Sequence, residues 1–69
     1  MKYEIQKAVK TDLGTFNIGD EVLLIFDDGK VACKIQDFRW LDEYTSAIIT
    51  DKGTYNLNHV KTILKYHLV

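Results

Sequence analysis

The sequence contains no proline and one cysteine, and it has four glycines among 69 residues. Without proline, the punctuation of the chain falls to the glycines and their polar neighbours. Cys33 has no partner within the chain, so the fold does not depend on a disulfide, and a reducing, cytoplasmic setting is expected. Neither sign of charge is in excess. Nine Lys and Arg against ten Asp and Glu give a net charge of −1, which argues against a binder driven by bulk electrostatics. The longest strongly apolar run, Val22 to Phe26, is five residues, far short of the ~20 needed to cross a bilayer as a helix. Lys2, Glu4 and Lys7 leave no apolar stretch of signal-peptide length near the start, so no membrane partner is expected. A chain of this length buries only about 60% of its unfolded surface. That leaves little margin for a large polar cavity, so a self-contained active site is not expected and the chain is read as non-enzymatic.

What is present fits a folded domain. Apolar residues make up 46% and charged residues 28%, ordinary globular usage. Gly14, Gly19, Gly29 and Gly53 each sit in a polar cluster, and short runs rich in β-branched and aromatic residues lie between them. That rhythm predicts an all-β fold. Residues 21 to 26 form the clearest strand, apolar on both faces and therefore central or covered on both sides. Asp28-Gly29 follows as a hairpin signal. Residues 31 to 38 alternate, with Val31, Cys33 and Ile35 on one face. Arg39 to Glu43 read as a bend carrying Trp40. Thr45 to Thr50 form a further strand, Asp51-Lys52-Gly53 a tight turn, Thr54 to Leu57 a short strand, and Asn58 to Val60 a single helical turn. Residues 61 to 67 alternate as a strand, with a helix capped by Asn58 as the rival. Near the start, Tyr3, Ile5 and Val9 fit a strand, and Ile5, Ala8 and Val9 fit a short helix.

From Phe16 to Leu64 the order of signals resembles the Tudor and KOW-type group of SH3-like barrels. The shared pattern is Phe16-x-Ile18-Gly19-Asp20-x-Val22, then Phe26-x-Asp28-Gly29, then Val31-x-Cys33-x-Ile35. After Gly53 comes Asn56-Leu57-Asn58-x-Val60-x-x-Ile63. The resemblance implies a small SH3-like barrel of about five strands over residues 16–69. Residues 1–15 would be an extension that adds a strand or short helix, or makes a dimer contact. Tudor domains hold methylated side chains in an aromatic cage, and the resemblance puts the cage positions near Phe26, Val31, Ile49 and Lys52. Only Phe26 is aromatic, and a lysine at the rim repels a cation. The methyl-reading function therefore does not carry over, unless a shifted register brings in Tyr44 or Tyr55.

Catalytic and metal chemistry find little support. There is no Cys-x-x-Cys pair and no His-x-x-x-His, and His59 and His67 stand eight apart, so no metal or cofactor is expected. Asp20-Glu21, Asp27-Asp28 and Asp42-Glu43 are sequence neighbours whose side chains diverge, and Asp27 and Asp28 are explained by their turn. A Cys33–histidine pair would need the thiol at a cleft, whereas the pattern points it inward, and no glycine-rich phosphate loop exists.

Two binding surfaces remain. Arg39 and Trp40, with Phe38 and Tyr44 beside them and acidic turns nearby, have the composition of a protein-contact anchor. The alternative role for Trp40 is a lid on the core. Lys2, Lys7, Lys10, Lys61 and Lys65 all lie on the terminal segments. If those segments pair, they make a basic edge, with Tyr3 and Tyr66, suited to single-stranded nucleic acid. The competing account is a solvated edge strand guarded by lysines. The expected function is protein–protein interaction, with nucleic-acid binding as the alternative. A homodimer, and an accessory role in a bacterial or phage complex, are compatible with so small a chain.

Overall fold

The computed structural model describes residues 3–5, 8–11, 13–40 and 45–67. Among these residues eight strands appear in chain order: β1 (Tyr3–Ile5), β2 (Ala8–Thr11), β3 (Gly14–Asn17), β4 (Glu21–Phe26), β5 (Gly29–Trp40), β6 (Ser46–Thr50), β7 (Gly53–Asn56) and β8 (Thr62–Lys65). One 3-10 turn, Leu57–His59, separates β7 from β8. The all-β expectation holds, and both ambiguous ends of the chain are strands. All pairings are antiparallel. They form a three-stranded sheet, β1-β2-β3, and a five-stranded sheet in the order β7-β6-β5-β4-β8. The five-stranded sheet is open, because its end strands β7 and β8 are not paired to each other. A closed ring of strands is not formed among the described residues.

Two hairpins share one sequence device. Thr11-Asp12-Leu13-Gly14 and Thr50-Asp51-Lys52-Gly53 both place Thr opposite Gly across the turn. In each, the Thr hydroxyl accepts from the backbone N–H two residues on and donates to the glycine carbonyl, at 3.1 and 3.3 Å in the first and 3.1 and 2.8 Å in the second. Both glycines have positive φ, +140° and +144°, where an L side chain is strained.

Strand alternation sets the core. In the small sheet, Ile5, Val9 and Phe16 are register partners in one row across the three strands, and all are buried. In the large sheet, Val22 and Leu24 point inward with Cys33 and Val31 opposite them. Ile63 continues the row on β8, and Ile48 and Leu57 complete the buried cluster. One core therefore joins the two sheets. Asp20 fixes the joint between β3 and β4. Its carboxylate accepts from the Asn17 N–H at 2.8 Å and from Lys65 Nζ at 2.7 Å, while its own N–H donates to the Asn17 carbonyl at 3.0 Å. These donors, the Asn17 amide first and Lys65 second, hold the Asp20 carboxyl below its usual range.

Candidate interaction site

The strand that carries Trp40 is interrupted by a bulge. Ile35 pairs with Thr50 and Asp37 with Ile49, so Gln36 is the extra residue. Unbroken alternation from Val31, Cys33 and Ile35 would turn Asp37 and Arg39 inward. The bulge exchanges the faces. Phe38 lies opposite the buried Ile48 and packs against the core, and Trp40 lies opposite the buried Ser46. Asp51 supports this break: its carboxylate accepts from the Lys34 N–H at 2.8 Å, and its own N–H donates to the Lys34 carbonyl.

Arg39 and Trp40 are the last two residues of β5 instead of a bend. Trp40 is 60% exposed, although it shares a face with Phe38. Its register partner Ser46 is buried, while the indole itself stands largely in water. Arg39 is exposed on the opposite face, beside Ala47. Of the four residues expected at the contact, Phe38 and Trp40 are thus brought together and Arg39 is turned away from them. Tyr44 lies outside the described residues, as do Asp42 and Glu43.

Among the described residues, the strand that carries Lys65 does not pair with the strand that carries Lys10. β8 pairs with β4, and β1 and β2 pair with each other. Lys61 forms an ion pair with Asp27 at 3.2 Å, and Lys65 with Asp20 at 2.7 Å. Lys65 Nζ also lies 5.1 Å from the centre of the Phe16 ring. Lys10 is exposed on β2. Lys2 and Lys7 lie outside the described residues. Tyr3 instead reaches the 3-10 turn, its hydroxyl donating to Asn58 Oδ1 at 3.0 Å.

An open depression of about 970 Å³ lies beside the β4–β5 hairpin and the 3-10 turn. Phe26 and Tyr55 form its aromatic part, with Asp27, Asp28, His59 and Lys61 around them. The two rings are 5.4 Å apart and inclined at 48°. They pack on one another and leave no gap for a cation between their faces. Of the other cage positions, Val31 packs on the core, Ile49 sits on the same face of β6 as Ala47, and Lys52 is exposed on a turn. The pairing of Phe26 with Tyr55 joins residues far apart in the chain, and no local signal announces it.

Nucleophilic and metal chemistry are equally thin. Cys33 is fully buried, and burial pushes its thiol above the ordinary range. His59 and His67 are exposed, and His67 Nδ1 lies 3.6 Å from a Glu21 carboxylate oxygen. No group of three or more His, Cys, Asp or Glu suited to a metal occurs among the described residues. Comparison with protein families, curated proteins and solved structures finds no match to this chain.

Proposed function

We propose that the chain is a small SH3-like barrel that acts by binding and not by catalysis, and that it engages a protein partner around Trp40. Five successive antiparallel strands, the last folding back beside the first after a single 3-10 turn, support the barrel reading. They agree with the Tudor and KOW-type resemblance.

The observation that carries the proposal is the exposure of Trp40, 60%, on the same face as the core-packed Phe38. An indole left open to water at a strand end has the chemistry of an interface anchor, because covering it removes a large apolar area while its N–H finds a partner. Its exposure favours that role over a lid. The ion pairs of Lys61 and Lys65 favour a protein partner over nucleic acid, since they neutralise two of the lysines a phosphate backbone would need.

Affinity capture from nuclease-treated lysate, with wild type and Trp40→Ala side by side, tests the proposal. Truncating an anchoring tryptophan costs upwards of about 2 kcal/mol, roughly 30-fold in affinity. The captured partner should therefore be lost while circular dichroism stays native. An unfolded variant returns Trp40 to the core, and capture that disappears with nuclease treatment assigns the surface to nucleic acid.

A further inference from the structure

The outer face of the five-stranded sheet carries an apolar strip that no other layer covers among the described residues. Alternation sends Val22 and Leu24 into the core and leaves Leu23 and Ile25 on the far side, both only half-buried. Leu23 is the register partner of Leu64 on one side and Ala32 on the other, and Leu64 is 40% exposed. Ile25 lies in the next row, opposite Lys30, and Glu21 in the row before, opposite Lys34. Along the β5 side of the strip, Lys30 and Lys34 therefore stand four residues apart on one face. Neither forms an ion pair among the described residues, whereas Lys61 and Lys65 both do.

The dimensions select an occupant. Three strands span about 10 Å across, close to the ~10–12 Å diameter of one α-helix. Lys30 and Lys34 are separated by about 13 Å along the strand. That is the rise of about two and a half helical turns, within reach of two carboxylates spaced two turns apart. We propose that this face docks an amphipathic helix of a protein partner, with an apolar stripe on Leu23, Ile25 and Leu64 and carboxylates on Lys30 and Lys34. A second copy of the chain fits less well, because the face carries Lys30 and Lys34 against one carboxylate, Glu21, and two copies would set that positive excess against itself. An anionic lipid surface is usually met by clusters of about four to eight basic residues, more than this face presents. The proposal is independent of Trp40, which sits ten residues beyond Lys30 on β5.

The probe is a synthetic 18-residue helical peptide with a leucine stripe and glutamates along one flank. Its control is the same peptide with lysines in place of the glutamates. Titration of the isotope-labelled full chain, followed by amide chemical shifts, should move resonances of β4, β5 and β8. The glutamate peptide should bind at least tenfold more tightly than the control, and more weakly as salt is raised. Lys30→Glu combined with Lys34→Glu should reverse the preference, and Leu64→Thr should weaken both peptides, each with a native spectrum. Several results would overturn the proposal: equal affinity for the two peptides, no binding, or shifts confined to other strands. So would tighter binding to phosphatidylserine vesicles or single-stranded DNA than to the peptide. Sedimentation showing a micromolar dimer that Leu64→Thr dissociates would give the face to a second copy.

Discussion

Phe16→Leu examines whether the small sheet is an integral part of the fold. Phe16 is the only aromatic ring of β1-β2-β3 within the buried cluster, 1% exposed, and it adjoins residues of both sheets. Leucine is smaller by roughly 25 Å³, and a cavity of that size costs about 0.6 kcal/mol at ~24 cal/mol per Å³. Poorer shape fit of a branched side chain adds up to about 1 kcal/mol. Losing the ring beneath Lys65 Nζ removes about 0.5 kcal/mol more, the lower end for a cation over a ring near solvent. The sum is about 1–2 kcal/mol, which lowers the melting temperature of a domain this size by roughly 4–16 °C. Phe16→Ala would cost about 3–5 kcal/mol. A chain of this length has roughly 3–10 kcal/mol in total, so the alanine variant should be largely unfolded, and leucine is the informative change. Urea denaturation followed by far-ultraviolet circular dichroism and by Trp40 fluorescence should give one coincident transition, shifted equally for both probes. A cycle with Lys65→Met should recover a coupling of about 0.5 kcal/mol. If Phe16→Leu leaves the Trp40 transition unmoved, or splits the two probes, the small sheet is a separate unit and the single shared core is wrong.

Four further outcomes are expected. The Asp20 carboxyl is depressed in the folded state, so the stability it contributes is fully present above its unfolded value of 3.8 and is lost as pH falls through the folded value. Asp20→Asn should therefore be less stable than wild type in urea at pH 7, and the gap should close as pH drops below that unfolded value; a constant gap would mean the ionised form is not what matters. Gly53→Ala, at φ +144° with Tyr55 only in ordinary contact, should cost about 1–3 kcal/mol through backbone strain. Gly29→Ala, with open space and no positive φ, should change thermal stability by less than about 0.5 kcal/mol. Cys33 should resist a thiol reagent in the native protein and react at the rate of unfolding; rapid native labelling would contradict its burial.

The local features of this protein were legible from the residues alone, because they follow from short-range geometry. Gly and Asp clusters marked the turns, and two-residue alternation marked the strands. The same alternation put Val31, Cys33 and Ile35 on one face, and the β-branched content of residues 61 to 67 outweighed the rival helix. Each of these rests on contacts within a few residues. What the tertiary structure decided depends on registers between distant strands. The bulge at Gln36 exchanged the faces of β5, so that Phe38 and Trp40 align and Arg39 turns away, and no rule of alternation forecasts an extra residue. Strand partners decided that β8 lies beside β4 and that the first strands make a sheet of their own, so that β8 and β1 are not paired with each other. They also decided between the two readings of residues 21 to 26: the strand is central in its sheet, between β5 and β8, and Leu23 and Ile25 lie half-buried on its outer face. A sequence states how apolar each face of a strand is, but only the packing of the other elements determines which of those faces is left in water.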